Sequence, residues 1–322
     1  MISPQRIDDY ILEKVIGHGA TCQVFQAYKL GNESKKFAVK LINEDSMSTR
    51  EYNAGQLLNE AMILQKVHHK NIVNLHLCEP DGVLKIQELE FKELYTVMEL
   101  AEKGVLIDYL IYTGSFLEEI ARFYFLQLIE GIKHLHSKGF VHRDIKTENL
   151  LLNSEFNLLI ADFGHCSQLK NGSAEMDSID SNWRGIGTAK FNPPEANSKI
   201  IRDSPAVDIF MAGVVLFIML FGEAPFKKGA VNDDTHYKFF FEGNQKRFWT
   251  SHSQITRGLG SESFIDLINS MFIVEPSQRI TITEIEAHPW CKGTIPTKES
   301  ISLEMHNRLE RVKKIQKSEN SK

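Results

Sequence analysis

Hydrophobic and polar positions change their spacing along the chain. Between Tyr10 and about Met98, short β-branched runs separated by polar residues indicate strands. One stretch differs: from Ala54 to Val67, apolar residues recur at helical spacing, with Glu60 beside the apolar face. The strand-like runs include Val15-Ile16, Phe37 to Val39 and Ile72-Val73. The sequence therefore predicts a strand-rich first unit that contains one main helix.

Helical patterns dominate after Gly104. The longest of these helical patterns extend from Leu117 to Ser137, from Asp208 to Phe221 and from Glu262 to Phe272. A short polar segment, residues 101–104, separates the two regions and suits a hinge rather than a long linker. We therefore expect an α+β, bilobal fold, and a ligand cleft between the lobes.

Composition and charge narrow the function classes. The 322 residues are 42% hydrophobic and 25% charged, which predicts a soluble globule with a large core. The net charge of −5 provides no broad basic field for nucleic-acid binding. The apolar run from Ile209 to Phe221 is too short for a membrane span of roughly 20 residues. We expect neither a nucleic-acid partner nor a membrane span.

Cysteine usage bears on the cellular compartment. Cys22, Cys78, Cys166 and Cys291 lie far apart and form no C-x-x-C pair, which argues against a zinc site or a disulfide framework. The first residues also lack the apolar core of a signal peptide. A reducing compartment fits best, so we expect a cytoplasmic protein and leave a nuclear location open.

The segment from His142 to Asn149 is the most informative part of the chain. It concentrates charged groups between strand-like runs, which is costly for a buried segment without a function. Asp144 is predicted to accept or orient the proton of a substrate hydroxyl, and Lys146 to stabilise a transferred phosphoryl group. Asn149 is predicted to bind Mg²⁺.

A second acidic motif, Asp162-Phe163-Gly164, follows the strand-like run that begins at Leu158. A carboxylate at the end of a strand can bind the Mg²⁺ that bridges nucleotide phosphates. Taken alone, such a motif is more often a turn. Its place thirteen residues after Asn149 favours the metal-binding interpretation.

Three features of the strand-rich region complete the set. The glycines of the segment from Gly17 to Val24 can bring backbone close to phosphates, although a plain hairpin is the alternative. Lys40 ends an apolar strand, where its ammonium group could neutralise phosphates, and Glu60 could be its counter-charge. An exposed lysine and an exposed glutamate are the alternative interpretations.

In order and spacing, these residues resemble a eukaryotic protein kinase from Tyr10 to Trp290. The later matching positions are Pro194-Glu195, Asp208, Gly213 and Arg279. The resemblance implies a kinase domain at residues 10–290, with an N-lobe at about 10–100 and a C-lobe at about 101–290. Residues 1–9 would be an extension, and residues 291–322 a charged tail, helical or disordered.

The resemblance also implies the ligands and their residues. ATP would be the nucleotide and Mg²⁺ the metal ion, the ion being held by Asn149 and Asp162. The catalytic group would be Asp144, Lys146, Asn149, Lys40 and Glu60. The nucleotide-binding residues would be Ile16, Gly17, Gly19, Val24, Ala38, Lys40, Met98, Glu99, Ala101, Leu151 and Asp162. Glu195 would pair with Arg279, and Asp208 would brace the catalytic loop.

Further positions bear on the substrate. Lys146 and Thr188 resemble serine/threonine kinases, so protein substrates with serine or threonine acceptors are implied. The His288-Pro289-Trp290 sequence resembles the calmodulin-dependent and AMP-activated kinase group. Val105 and Ile218 replace acidic residues that basic substrates contact in many relatives, which puts a preference for basic substrates in doubt.

Two alternatives to an active protein kinase remain at this stage. The first is a pseudokinase that acts as a scaffold or allosteric binding module, and the second is a small-molecule kinase of similar fold. Lys40, Asp144, Asn149 and Asp162 are all present, which favours catalysis over a scaffold. The Gly187-Thr188 to Pro194-Glu195 segment resembles a protein-substrate platform, which disfavours small molecules.

Regulation has two candidate elements. Arg143 predicts an anionic partner in the activation segment, either phosphorylated Ser178 or Ser181 or an acidic side chain. The basic tail, with apolar residues from Leu303 to Ile315 on one predicted face, could be autoinhibitory or bind a calmodulin-like partner. A helix packed on the large lobe, or a disordered end, is the alternative. We expect a monomer.

Overall fold

The chain divides into two compact units. The computed structural model describes residues 5–19, 22–42, 47–169, 189–197, 204–256 and 260–319. One unit comprises Met1–Glu102 with Ala161–Cys166, and the other comprises Lys103–Ile160 with Ser167–Lys322. Strands dominate the first unit and helices the second, as the spacing of apolar residues predicts. The α+β, bilobal fold class is confirmed.

Antiparallel strands of the first unit close into a barrel, in the order β1-β2-β3-β4-β6-β5. They are β1 (Arg6–Ile7), β2 (Tyr10–His18), β3 (Cys22–Lys29), β4 (Asn32–Ile42), β5 (Leu75–Ile86) and β6 (Leu89–Glu99). Buried side chains from several strands, among them Phe25, Val39 and Tyr95, fill the barrel. Strand β4 lies between β3 and β6, so Lys40 is held by ladders on both sides, opposite Val24 and Thr96.

Helix α1 spans Met47–Leu64, so it begins and ends earlier than the predicted stretch of residues 54–67. Its first turns lack apolar periodicity, which hid them from the sequence pattern. Arg50 anchors them, because its guanidinium donates two hydrogen bonds to the buried carboxylate of Glu93, at 2.9 and 2.8 Å. After Leu64, Val67 is buried without being helical.

One predicted strand is wrong. Ile72 and Val73 are buried, but they precede β5, which begins at Leu75; Ile72 forms only an isolated β-bridge and Val73 belongs to no strand. The amide of Ile72 donates to the carbonyl of His69 in a turn. A short buried apolar run satisfies its side chains equally well in a loop, so the run by itself did not determine a strand.

Helices make up most of the second unit. They are α2 (Leu106–Thr113), α3 (Glu118–Ser137), α4 (Ser204–Phe221), α5 (Thr235–Phe241), α6 (Gln245–Thr256), α7 (Glu262–Met271), α8 (Ile282–Ala287) and α9 (Lys298–Glu319). Short strands accompany them: β7 (Phe140–Val141), β8 (Leu150–Leu152), β9 (Leu158–Ile160) and β10 (Ser167–Gln168). The predicted helices α3, α4 and α7 agree with the structure to within four residues at each end.

Helix α4 is apolar over most of its surface and is buried accordingly. Its Gly213 has to be small, because a Cβ there would lie 2.9 Å from the ring of Phe272. Among the residues that the structure describes, no helix combines the length and apolarity that a membrane span requires.

The tail forms a helix, α9, that packs against α2. Ile301, Met305 and Val312 are its buried residues, so Val312 of the predicted apolar face is buried, whereas Leu303 of that face is 67% exposed. The i, i+4 and i+11 spacing of these three residues defines one side of a helix, and Leu303 lies on another. The interpretation of the tail as a packed helix is confirmed.

One buried histidine makes stability depend on pH. His252 of α6 is 1% exposed, and its ring lies 4.5 Å from that of Phe248. Its Nε2 atom donates to the carbonyl of Pro225 at 3.1 Å, since a carbonyl can only accept. Burial and, second to it, the neighbouring His236 lower the pKa of His252 to about 4.

We predict that acid weakens the fold through His252. Its pKa rises to the ordinary value of 6.5 on unfolding, so the unfolded chain binds more protons between pH 6.5 and 4. The free energy of unfolding should therefore decrease as the pH is lowered through that window. This group contributes at most about 1.4 kcal/mol per pH unit. Urea unfolding at pH 7, 6 and 5 should show a shallower fall for His252→Gln than for wild type. The same change at exposed His68 is the control, and equal slopes for wild type and His252→Gln would contradict the prediction.

Candidate active site

Lys40, Glu60 and Asp162 meet inside the first unit. The Nζ atom of Lys40 lies 2.7 Å from Oε2 of Glu60 and 3.2 Å from Oδ1 of Asp162. Glu60 is 1% exposed, and its other oxygen, Oε1, accepts a hydrogen bond from the backbone amide of Phe163 at 3.1 Å. The predicted pairing of Lys40 with Glu60 is confirmed, and the alternative of two exposed side chains is wrong.

The charge of Lys40 is fixed by its two partners. Burial by itself would lower the pKa of Lys40, but the carboxylates of Asp162 and Glu60 outweigh burial and raise that pKa above its usual value. The ammonium group is therefore charged at neutral pH. It keeps a hydrogen bond to Asp162, whose side chain is 40% exposed and so can also reach a ligand from solvent.

Asp162 has an unusual backbone conformation. Its φ of 63° lies in the left-handed region, which costs a residue other than glycine roughly 1–3 kcal/mol. Such a conformation persists only where the surrounding contacts hold it. The hydrogen bond from Phe163 to Glu60 is one of these contacts, immediately after Asp162.

The described residues of the glycine segment lie at the end of β2 and the start of β3, which pair with each other. The amide of Gly19 donates to the carbonyl of Cys22 at 2.9 Å, and Gly17 lies opposite Val24 in the ladder. The side chain of Ile16 is exposed, and that of Cys22 is buried with Leu57 in a small apolar cluster. The pairing of β2 with β3 agrees with the hairpin alternative.

The expected nucleotide-binding positions at the end of β6 are also described. Met98 lies opposite Ala38 in the ladder, and both are buried. The amide of Glu99 donates to the carbonyl of Asn74 at 2.9 Å. Burial raises the pKa of the Glu99 side chain, whose Oε1 accepts from the amide of Asn74. Ala101 follows in a polar turn.

In the second unit, Asp144 is the centre of a hydrogen-bonded group. Lys146 donates to Oδ2 of Asp144 at 2.6 Å. The amide nitrogen of Asn149 donates to the same oxygen at 3.0 Å and to the backbone carbonyl of Asp144 at 2.9 Å. Both side-chain donors thus contact Oδ2, which sets the orientation of the carboxylate and of Oδ1. Leu151, two residues beyond Asn149, is half-buried and forms a bridge with Val105.

Asp208 fixes the backbone of this loop from α4. Its fully buried carboxylate accepts from the amides of His142 and Arg143, at 2.9 and 2.8 Å, and from Nε2 of His136 at 2.8 Å. Burial would raise the pKa of Asp208, but the hydrogen bond and charge of His136 bring it below its usual value. The loop needs this support, because Arg143 has a φ of 65°. The predicted bracing is confirmed.

A second buried ion pair lies further along the chain. Arg279 donates to the two carboxylate oxygens of Glu195, at 2.6 and 3.0 Å, and to the carbonyl of Ala206 at 2.7 Å. This confirms the predicted pair. Ser178, Ser181 and Thr188, on which the regulatory and acceptor expectations rest, lie outside the described residues.

The donor atoms fit the ion that the resemblance implies. Both hydrogen bonds of Asn149 use its amide nitrogen, which leaves the carboxamide oxygen as the ligand atom, and Asp162 supplies a carboxylate. Mg²⁺ prefers such oxygen ligands and takes the remainder from phosphates and water. Within the described ranges, no group of three or more histidine, cysteine or acidic side chains is arranged to hold a metal ion.

One set of polar contacts near Asp162 involves a residue that the sequence pattern does not single out. Asn59, directly before Glu60 on α1, donates to the carbonyls of Gly164 and Cys166, at 3.1 and 3.0 Å. Its position in the helix is the available signal. Asn59 directly precedes a buried glutamate, and it shares a helix face with the residue three positions earlier. No apolar pattern marks such a residue.

Known proteins resemble the chain over most of its length. Residues 10–291 match the protein kinase domain family. The probable serine/threonine-protein kinase MARK-A of Dictyostelium discoideum is 31% identical over 91% of the chain and 25% of its own length. The SNF1-related protein kinase catalytic subunit alpha KIN12 of Arabidopsis thaliana is 30% identical, over 96% of the chain and 56% of its own length. The carbon catabolite-derepressing protein kinase of Candida albicans is 32% identical, over 90% and 42%.

The chain thus spans between a quarter and just over half of these relatives' own lengths. The names of the relatives agree with the subgroup inferred from His288-Pro289-Trp290. The match to the family covers both compact units and all residues of the two hydrogen-bonded groups. The chain belongs to the protein kinase domain family, and its similar relatives come from the SNF1, AMPK, MARK and SIK group.

Proposed function

We propose that this chain is an ATP-dependent protein serine/threonine kinase that transfers the γ-phosphoryl group to serine or threonine hydroxyls of protein substrates. The observation that carries the proposal is the Lys40 ammonium, hydrogen-bonded to both Glu60 and Asp162. A lysine so placed is charged and oriented before any ligand binds. Serine/threonine kinase relatives along almost the whole chain support the same activity.

Each residue has one task in this reaction. Lys40 binds the α- and β-phosphates, and Glu60 keeps its ammonium in position. Asn149 and Asp162 would hold Mg²⁺, which would neutralise charge at the phosphates. Asp144 orients the acceptor hydroxyl and takes its proton, while Lys146 stabilises the transferred phosphoryl group. Catalysis is then mainly positioning and electrostatics.

The family pattern assigns the faces of the adenine base to Ile16, Val24, Ala38 and Leu151, and the depth limit of its pocket to Met98. The carbonyl of Glu99 and the backbone of Ala101 bind its edge, and Gly17 and Gly19 cover the phosphates. These assignments follow from the family pattern, and the ladder positions of Ala38 and Met98 support them.

A pseudokinase that acts as a scaffold is the main competing proposal. It predicts that the polar groups needed for transfer are lost or misplaced. Here Asp144 keeps two side-chain donors and Lys40 keeps two carboxylate partners, which supports an enzyme instead. The competing proposal also predicts no Mg²⁺-dependent transfer, which an assay tests directly.

We predict that Asp144→Asn lowers kcat by about 10²–10⁴-fold, because the variant cannot take a proton. The KM for ATP should change little, since Asp144 contacts the acceptor rather than the nucleotide. The measurement is transfer of radiolabelled phosphate to a generic protein substrate, with and without Mg²⁺. Exposed Asp233→Asn is the matched control. Wild type without Mg²⁺-dependent transfer would rule out the proposed activity.

A second prediction separates Lys40 from other lysines of the same strand. Lys40→Met should abolish measurable transfer, because it removes the phosphate ligand and leaves the buried Glu60 without its cation. Lys36→Met changes a lysine of β4 whose partner is Glu13 at the protein surface, and it should leave kcat/KM within about twofold, since surface pairs contribute at most about 1 kcal/mol. Similar losses in both variants would contradict a specific role for Lys40.

The tail offers a site for a regulatory partner of the calmodulin type, as a subordinate proposal. The buried residues of α9 face α2, so such a partner has to displace the helix before it can bind that face. Arg308 holds α9 by donating to the hydroxyl of Thr113 and to the carbonyls of Gly114 and Ser115.

We predict that Arg308→Ala frees α9 and strengthens binding of calcium-calmodulin at least tenfold, because the variant loses three hydrogen bonds of about 0.5–1.5 kcal/mol each. Exposed Arg311→Ala is the control, since it removes the same charge without those bonds. Isothermal titration calorimetry measures both. No binding by either variant would contradict the partner proposal while leaving the kinase proposal intact.

We also propose that the protein acts as a monomer in the cytoplasm, with the nucleus as a second compartment, and that it binds no nucleic acid. The four free cysteines and the net negative charge support these assignments.

A further inference from the structure

Helix α1 contacts every residue from Phe163 to Cys166. Glu60 accepts from the amide of Phe163, and Asn59 donates to the carbonyls of Gly164 and Cys166. One turn earlier, Nε2 of Gln56 lies 3.1 Å from Nδ1 of His165. Side chains of the helix thus contact both backbone groups and a side chain of the segment that directly follows Asp162.

The double contact of Asn59 is specific to a carboxamide. A single NH₂ group has two protons, and here they reach two carbonyl oxygens that lie two residues apart. An aspartate has the same shape but would place negative charge against both carbonyls. A leucine of similar size would leave both carbonyls without this donor.

Close packing allows these contacts to form. A Cβ built at Gly164 would lie 3.4 Å from Cβ of Gln56, at van der Waals distance, so the helix and the segment are in close contact here. The Nε2 atom of Gln56 is also 2.9 Å from the hydroxyl of Tyr52. Residues 52, 56, 59 and 60 therefore lie along one side of α1, and their spacing of three and four residues is that of a helix face.

We propose that Asn59 is a positioning residue that holds Asp162 in its metal-binding conformation. This role rests on the proposed function. The left-handed backbone of Asp162 needs support from neighbouring contacts. The Lys40–Glu60 pair supports the segment through Phe163. Asn59 supports it at Gly164 and Cys166 by hydrogen bonds that involve no charged side chain. Its contribution is therefore separate from that of the ion pair.

The test compares Asn59→Leu and Asn59→Asp with wild type in Mg²⁺ titrations of kinase activity. Both variants should need about tenfold more Mg²⁺ for half-maximal activity, because two neutral hydrogen bonds together are worth about one decade in an equilibrium constant. The maximal rate at saturating Mg²⁺ should stay within about threefold of wild type. Gln65→Leu, an exposed carboxamide just beyond α1, is the matched control and should behave like wild type.

A merely structural role would give a different result. It would lower the maximal rate and the melting temperature without changing the Mg²⁺ requirement, and that outcome overturns the proposal. An unchanged Mg²⁺ requirement in Asn59→Asp overturns it as well, even where Asn59→Leu fails to fold. Rescue of Asn59→Leu activity by high Mg²⁺ supports it.

Binding measurements separate this inference from the proposed function. Calorimetric titration of wild type and Asn59→Asp with ATP, at several Mg²⁺ concentrations, reports metal-assisted binding without any phosphoryl transfer. An inactive wild type that still binds ATP in an Mg²⁺-dependent, Asn59-dependent manner would contradict the kinase proposal and support the positioning role. If wild type is active but Asn59→Asp binds ATP with the same Mg²⁺ dependence as wild type, the result would support the kinase proposal and contradict the positioning role.

Discussion

The need to keep a buried ammonium group paired constrains the first unit. Removing a charged side chain from water costs several kcal/mol, and only close, well-oriented partners offset that cost. Lys40 has two such partners, Glu60 and Asp162, and they come from a helix and from a segment far along the chain. Strand β4, helix α1 and residues 161–166 must therefore hold their positions together. The ladders on both sides of β4 supply the rigidity on the strand side.

In the second unit, a buried negative charge likewise needs close partners. Asp208 is fully buried, and its carboxylate is satisfied by two backbone amides and one histidine. Because the amides belong to His142 and Arg143, satisfying the charge also fixes the path of the loop that presents Asp144. Glu195 and Arg279 form a further buried pair. In each case a charge that would destabilise the protein alone organises backbone once its partners are present.

The described residues also bear on specificity and regulation. Val105 begins the segment that leads into α2, and Asp108 on that helix is hydrogen-bonded to Gln316 of α9. The tail therefore covers an acidic side chain of α2 as well as apolar surface. Burial raises the pKa of Asp108, and the hydrogen bond from Gln316 offsets part of that effect. A tail that looked like a separate basic segment is thus part of the packing of the second unit.

The sequence by itself determined the α+β class, the kinase family and the paired charges. These features depend on residue type and spacing, since periodicity follows from helix and strand geometry and a buried charge demands a partner. Tertiary structure decided the rest. Arg50 extended α1 beyond its apolar pattern, burial in a loop removed the strand expected at Ile72, and contact with α2 selected the face of α9 that holds Met305. Asn59 shows the limit most clearly: its two acceptors lie more than a hundred residues away, and only the folded chain brings their carbonyls to one amide group.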